Sequence, residues 1–81
     1  MNRDEMLEKL QSIIREAVDN EDVIITDLTV ASEVDGWDSL AQVLIIGAIQ
    51  NELGMKFTAT EVGKLANVGD FVDAMMKKQQ A

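Results

Sequence analysis

The run Gly36-Trp37-Asp38-Ser39-Leu40 holds the residues with the clearest capacity for chemistry, at the point where an aperiodic segment gives way to an apolar helical stretch. Either Asp38 or Ser39 can cap the first turn of that helix, and Gln42 is placed to complete a capping box. Ser39 then lies at the positive end of a helix dipole, where unpaired backbone N–H groups favour a phosphate. A serine hydroxyl needs an adjacent base to become a nucleophile, and the sequence contains no His and no Cys. We therefore expect that if Ser39 reacts, another protein activates it.

The composition argues against catalysis and against metal binding. The absence of His and Cys removes the commonest metal ligand and general base, as well as any disulfide or thiolate site. Four acids of the loop before the serine invite a calcium interpretation, but they lack the alternating spacing and the closing Glu of a calcium loop. They are Asp27, Glu33, Asp35 and Asp38. We predict no catalytic residue and no metal site, and we read most of these acids as a solvated loop.

Fifteen acids against seven bases give the chain a formal net charge of −8. Neutralising nucleic-acid phosphates needs a basic face, so this charge argues against nucleic-acid binding, and basic partners fit better. The alternative is that the acidity only keeps a small domain in solution. The N-terminus lacks the apolar run of a signal peptide, and no stretch approaches the ~20 apolar residues of a membrane span. We predict a single domain over residues 1–81, monomeric and cytoplasmic.

Apolar residues recur at the spacing of three and four that is typical of amphipathic helices. Thr58 and Glu61 form a second capping box, which introduces a short helix. The predicted helices are Arg3 to about Val18, Ser39–Leu53, a short one through Val62 to Leu65, and a last one from Asn67 or just after it. The fold class predicted is all-α: a small four-helix bundle of three longer helices and one short helix. The tail Gln79-Gln80-Ala81 is expected to fray.

The segment between the first two long helices has no sustained helical period. It contains five apolar residues, which are Val23, Ile24, Ile25, Leu28 and Val30. A short strand is the competing interpretation, but a lone strand would have no partner elsewhere in the sequence. We predict a long ordered loop pinned by apolar residues that reach the core. Such a length is unusual in a compact domain and itself points to function.

The helix that begins at the serine is apolar over more than one face, so either it is fully buried or it has an exposed apolar face that binds a partner. We assign five of its positions to the core: Leu40, Val43, Ile46, Ile49 and Leu53. Leu44 and Gly47 fall near the outer side of the serine and are predicted contact positions. A glycine inside a helix costs roughly 1 kcal/mol relative to Ala, so Gly47 should permit close approach, either of a partner or of another helix of the same domain.

Trp37 is the only Trp, and there is no Tyr. We favour a structural role, in which the ring packs beside the start of the next helix and the indole N–H finds a partner. The alternative is that Trp37 lines the path of whatever is attached to Ser39.

Asp38-Ser39-Leu40, followed by Val43, Ile46, Ile49 and Leu53-Gly54, resembles the acyl carrier proteins, and the resemblance covers nearly the whole chain. It implies that a phosphopantetheinyl transferase, using Mg²⁺, attaches the 4′-phosphopantetheine arm of coenzyme A to Ser39. The chain would then hold acyl groups as thioesters and pass them between acyl-loading and acyl-using enzymes of fatty-acid, polyketide or related biosynthesis, without being an enzyme. It further implies that Asp38 meets a basic residue of the transferase, and that Phe57 and Val62, with Trp37, lie near the arm or its cleft.

One departure from that family bears on the partners. Carriers of fatty-acid synthesis typically show an acidic helix after the serine, whereas Glu52 is the only acid here. We therefore expect docking through apolar contact, with Leu40, Leu44 and Gly47 taking part, and a specialised pathway rather than the housekeeping carrier. Two alternatives stay open. One is a peptidyl or aminoacyl carrier, including the D-alanyl type; the other is a helical adaptor in which Asp38-Ser39 is only a cap.

Overall fold

The computed structural model describes residues 1–80 and contains four α-helices, with no strand in that range. A single 3-10 turn, Ala31–Glu33, interrupts the connection between the first two helices. The helices are α1 (Arg3–Ala17), α2 (Ser39–Leu53), α3 (Ala59–Gly63) and α4 (Val68–Gln79). The predicted all-α bundle of three longer helices and one short helix is confirmed.

Side-chain caps set where the helices begin. The Asn2 carboxamide accepts from the Glu5 N–H at 2.8 Å, and the Glu5 carboxylate accepts from the Asn2 N–H at 2.9 Å, which makes a capping box at α1. The box predicted at Thr58 and Glu61 is present at α3. That helix nevertheless ends at Gly63, two residues before the predicted Leu65, so the expected bound was wrong at its C-terminal side.

The core lies between α1 and the two other long helices, since α1 packs against both α2 and α4. The buried apolar residues with large side chains form one core, and they are Met6, Leu10, Ile13, Ile14, Ile25, Ile45, Ile49, Met55, Val68, Phe71, Val72 and Met75. Burying each such side chain contributes about 1.5–3 kcal/mol, so these core residues supply most of the driving force for folding. Met75 is fully buried, and its flexible side chain suits an irregular part of the core.

The core face of α2 differs from the predicted one. Ala41, Ile45 and Ile49 are its buried residues, whereas Leu40 and Val43 are each 68 % exposed. Positions four apart share one helix face, and the face of Ala41 is the one turned to the core. Placing Leu40 and Val43 in the core was therefore wrong, while Ile49 was right. Ile46 and Leu53 are partly buried and pack against the core from the side.

The long connection between α1 and α2 is ordered by α1. The Gln11 side chain accepts from the Ile25 N–H at 3.0 Å, and Arg15 Nε donates to the Val23 carbonyl at 2.7 Å. Ile25 is buried, with 4 % of its surface exposed, whereas Ile24 and Leu28 are 75 % and 82 % exposed. The predicted ordered loop is thus present, but fewer of its apolar residues reach the core than expected.

The same loop is fastened to the start of α4. Val68 N–H donates to the Thr29 carbonyl at 2.8 Å, and Gly69 N–H donates to the Asp27 carbonyl at 2.9 Å. Arg3 adds ion pairs to Asp27 and Asp73, but these charges are largely exposed. Exposed pairs stabilise a fold little, so the two backbone hydrogen bonds are the stronger link.

The C-terminal end of the chain is more ordered than predicted. α4 continues through Gln79, whose carboxamide accepts from the Met1 amine at 3.0 Å and donates to the Met1 carbonyl at 2.6 Å. Fraying at Gln79 was therefore a wrong prediction, and Ala81 lies outside the described residues.

Two glycine substitutions should act in opposite directions on stability. A Cβ at Gly69 would lie 2.9 Å from the Asp27 carbonyl oxygen, so Gly69→Ala should push the loop from α4 and lower the free energy of unfolding by about 1–3 kcal/mol. A Cβ at Gly47 meets nothing within 4 Å, so Gly47→Ala should raise that free energy by about 0.5–1 kcal/mol. Urea titrations of both variants give the comparison, and a Gly69→Ala protein as stable as the parent would contradict the close approach.

Candidate functional site

Ser39 is the first residue of α2, and its side chain is exposed. Asp38 is the N-cap: its Oδ1 accepts from the Ala41 N–H at 2.9 Å, and its carbonyl accepts from the Gln42 N–H at 2.9 Å. Within residues 1–80 the Ser39 hydroxyl makes no hydrogen bond, and the backbone N–H groups of Ser39 and Leu40 are the two donors of the first turn without an acceptor. A free hydroxyl therefore stands beside two unpaired donors at the positive end of α2.

The capping box predicted with Gln42 is absent from this turn. Because Asp38 is the cap, the box position falls on Ala41, which carries no acceptor. Gln42 instead accepts from the Trp37 indole N–H at 2.6 Å. The sequence alone left Asp38 and Ser39 as equal candidates for the cap, and which of them caps the helix has a chemical consequence. A serine at the cap would use its hydroxyl oxygen to accept a backbone hydrogen bond. Because Asp38 is the cap, the Ser39 hydroxyl accepts no such bond.

Trp37 packs beside the start of α2, as its structural interpretation predicted. Its ring centroid lies 6.3 Å from that of Phe71, and Phe71 lies 5.9 Å from Phe57, both pairs in tilted geometry. The three rings thus form a continuous row from the base of the Ser39 turn to the segment before α3. Whether Trp37 also lines the path of an attached group stays a prediction.

α3 is the most loosely held helix, because none of its residues is buried. Its main side-chain link is the ion pair of Glu61 with Lys78 of α4, at 2.7 Å, and the Lys78 ammonium also lies 4.9 Å from the centre of the Phe57 ring. The hydrogen bond from Lys78, followed by that from the Thr58 backbone, lowers the pKa of Glu61. Val62 is partly buried.

A groove of about 720 Å³ lies next to α3, and residues in or beside α3 and α4 line it, among them Glu61, Leu65 and Met76. Ser39, Trp37, Phe57 and Val62 are not among the residues that line this groove. The row of aromatic rings lies between Trp37 and the segment before α3. An attached chain could pass between these rings only if the rings or α3 moved.

The outer face of α2 is an exposed apolar stripe. Leu40, Val43 and Leu44 are 68 %, 68 % and 50 % exposed, and Gly47 continues the same line at the helical spacing of three and four. Apart from its chain neighbours and the backbone of α2 itself, no atom comes within 4 Å of a Cβ built at Gly47, so the interpretation that another helix of the domain approaches it is wrong. Val43 belongs to this stripe and was missed because it was assigned to the core, although its spacing from Leu40 and Gly47 could have placed it.

The exposed stripe of α2 carries no unpaired charge, because Glu52, the one acid of α2, forms an ion pair with Lys9 of α1.

The described residues contain neither a cluster of metal ligands nor a helix that could span a membrane. Across residues 1–80 no three carboxylates are arranged to share a metal ion. None of the helices in this range has both the length and the apolar character needed to cross a membrane.

The relatives found by comparison with known proteins all carry the same family name. No protein-family model matches the chain. An acyl carrier protein of Thermosynechococcus vestitus is 34 % identical over 83 residues, covering 100 % of both chains, and one of Thermotoga maritima is 30 % identical over 77 residues, covering 95 % of each. The solution structure of a holo acyl carrier protein from Geobacter metallireducens superposes with a TM-score of 0.87 at 35 % identity, covering 93 % of this chain and 86 % of that one.

The attachment of α3 should depend on pH through Glu61. A carboxyl whose pKa is lowered by folding stabilises the fold above its unfolded value, here 4.5, and loses that contribution as the pH falls through the lowered value. Acidification below 4.5 should therefore release α3 before α1 and α4 unfold, which amide chemical shifts of each helix would report. Glu61→Gln keeps a capping-box acceptor but removes the charge. The same acid transition in that variant would contradict the assignment to Glu61.

Proposed function

This chain belongs to the acyl carrier protein family, and we propose that it carries acyl groups as thioesters on a 4′-phosphopantetheine arm attached to the Ser39 hydroxyl. The observation that supports this most directly is the unengaged, exposed Ser39 hydroxyl at the start of α2, with Asp38 as the cap. The relatives are named acyl carrier proteins, which favours an acyl cargo over an aminoacyl one. The sequence prediction of a cytoplasmic location stays a prediction.

The residues around Ser39 fit such a group. A phosphodiester on Ser39 Oγ would lie beside the unpaired N–H groups of Ser39 and Leu40 and the positive end of α2, both of which favour an anion. The side chain is exposed, so an arm can extend from it without displacing a core residue. When attached, the arm supplies a thiol, which this chain lacks because it has no Cys.

Attachment has to be carried out by another protein. The Ser39 Oγ–phosphorus bond forms as the pyrophosphate bond of coenzyme A breaks, and adenosine 3′,5′-bisphosphate leaves. The hydroxyl proton goes to a base of the transferase, because no side chain within residues 1–80 accepts it from Ser39 and the sequence has no His. The chain is thus a substrate and a carrier in this scheme, and not an enzyme.

The surroundings of Ser39 supply the contacts for partners. The exposed Asp38 carboxylate uses Oδ1 for the cap, and its charge suits a basic residue of the transferase. The stripe of Leu40, Leu44 and Gly47, with Val43, suits apolar contact with acyl-loading and acyl-using enzymes. Since Glu52 is the only acid of α2, we propose that these enzymes belong to a specialised pathway.

Trp37, Phe57 and Val62 are proposed to lie near the arm. Sheltering an acyl chain would require the closed aromatic row to open, and the weak attachment of α3 makes that helix the element that moves. We further propose that residues 1–81 act as one domain and as a monomer.

Intact mass tests the proposal directly. Incubation with coenzyme A, Mg²⁺ and a broad-specificity phosphopantetheinyl transferase should add one phosphopantetheine increment to the parent and none to Ser39→Ala. Ser39→Ala leaves the Asp38 cap in place, so its melting curve should match that of the parent and show that the loss is chemical. A folded parent protein that takes no increment would overturn the proposal and favour the adaptor interpretation.

Leu44→Glu should impair modification more than it impairs folding. Leu44 is half exposed, so the loss of stability should stay below about 1.5 kcal/mol, while kcat/KM for arm transfer should fall about tenfold if Leu44 meets the enzyme. The matched control is Ile24→Glu, the same kind of change at a 75 % exposed site of the loop. A large loss of stability in Leu44→Glu would show instead that the residue belongs to the core.

A further inference from the structure

Lys78, in the last turn of α4, contacts two other parts of the chain with one ammonium group. Its Nζ lies 2.7 Å from a carboxylate oxygen of Glu61 in α3 and 4.9 Å from the centre of the Phe57 ring, in the segment before α3. An ammonium above an aromatic ring is attracted by the negative face of the ring. Only 22 % of the Lys78 side chain is exposed, the smallest fraction among the ion-paired side chains within residues 1–80. Water and salt therefore screen these contacts less than they screen the ion pairs of Arg3 and Lys9.

α3 has few other contacts that could hold it in place. None of its residues is buried, and within residues 1–80 the bond from Lys78 to Glu61 is the one hydrogen bond that joins α3 to another helix. Phe57 and Leu65, on either side of α3, are partly buried against the core. Segments with few buried contacts open at the lowest free-energy cost. A single contact of moderate strength therefore decides how often α3 leaves the rest of the molecule.

The Glu61 carboxylate links the two contacts of Lys78 to each other. Its Oε2 accepts from Lys78, while its Oε1 accepts from the Thr58 N–H at 2.9 Å and so closes the capping box of α3. Thr58 directly follows Phe57, so the carboxylate that binds the lysine also holds the backbone beside the Phe57 ring. A movement of Glu61 away from Lys78 thus displaces the start of α3 and the Phe57 ring together.

The other charges of this region do not replace Lys78. Four further charged residues line the groove between α3 and α4, and within residues 1–80 none of them forms an ion pair with Glu61 or Lys78; they are Lys64, Asp70, Asp73 and Lys77. Lys64 is three residues after Glu61, so an ion pair between those two would join α3 only to its own end. Among the described residues, Lys78 is thus the one base of α4 that fastens α3.

We propose that Lys78 is a latch, meaning a single side chain that fastens both α3, through Glu61, and the Phe57 ring to α4, so that the two are released in one event. The release opens the row of aromatic rings between Phe57 and Phe71, whose centroids lie 5.9 Å apart when the latch is closed. The latch is a property of the unmodified chain and does not depend on an arm at Ser39. Its consequence for a carried acyl group, a way between the rings that opens when Lys78 releases Glu61, rests on the proposed function.

Hydrogen exchange of backbone amides, measured by NMR on the unmodified protein, tests the latch. The reporters are the N–H groups of Val62, Lys64 and Leu65, which donate to carbonyls of the same segment. Lys78→Met keeps a long unbranched side chain but loses the charge, and it should speed the exchange of these amides about tenfold. The matched control is Lys77→Met, the same change at the neighbouring exposed base, which should speed their exchange less than about twofold.

Two checks separate the latch from a general loss of stability. The amides of Val72 and Met75, in the buried part of α4, should exchange at the parent rate in both variants, which shows that the fold is retained. Lys78→Arg keeps a cation that can bind a carboxylate and stack on an aromatic ring, so it should restore most of the slow exchange of α3.

The joint release of α3 and Phe57 has its own test. Glu61→Gln removes the ion pair but leaves the Phe57 side chain unchanged, so the chemical shifts of the Phe57 ring should move towards those in Lys78→Met. Lys64→Gln removes a charge just after α3 without removing a contact of Lys78, and it should leave the ring resonances at their parent positions.

The outcomes are distinct. Equal exchange rates of the α3 amides in Lys78→Met and Lys77→Met would overturn the latch, whether or not the protein takes an arm at Ser39. Faster exchange in Lys78→Met, with the Phe57 ring unchanged in Glu61→Gln, would show two independent contacts and would overturn the joint release. A parent protein that takes no arm would overturn the proposed function and the consequence for a carried group, and it would leave the latch in place.

Discussion

The hydrogen bond from the Ala41 N–H to the Asp38 carboxylate is the contact on which the rest of the site depends. It fixes the first turn of α2, and it does so with a residue that precedes the serine. The Ser39 hydroxyl is left without a hydrogen-bond partner, and two backbone N–H donors beside it stay unpaired. Gln42 takes no part in the cap, and its side-chain oxygen accepts from the Trp37 indole N–H instead. Three features of the site thus follow from which of two neighbouring side chains acts as the cap.

The sequence was most informative where a helix has one apolar face. In α1 and α4 the apolar stripe and the charged remainder predict both the helix and its buried side, and the structure agrees with a core built on Leu10, Ile14 and Val72. α2 is apolar almost all round, so its pattern predicts a helix without saying which side is buried. Leu40 and Val43 were misplaced for that reason, since packing against α1 decided the face through Ala41, Ile45 and Ile49.

The elements held by tertiary contacts were the least predictable. Two hydrogen bonds order the long loop: Arg15 donates to the Val23 carbonyl, and the Ile25 N–H donates to Gln11. They join residues 8 and 14 positions apart, so no local sequence pattern predicts them. The row of Trp37, Phe71 and Phe57 likewise joins three segments of the chain. The composition could show that Trp37 needs a partner for its indole N–H, but only the fold identifies Gln42 as that partner. Ser39 could be proposed from its motif, because the start of a helix is a local feature of the sequence.

The pair of hydrogen bonds between Met1 and Gln79 has a further consequence. It brings the start of α1 and the end of α4 together, while the other end of α1, marked by the contact of Val18 with Gly36, adjoins the serine turn. The 15 residues of α1 span about 22 Å, so both of these chain segments lie a helix length from Ser39. A surface, a dye or a second protein tethered through either segment would therefore leave the serine facing away from the tether and open to solution.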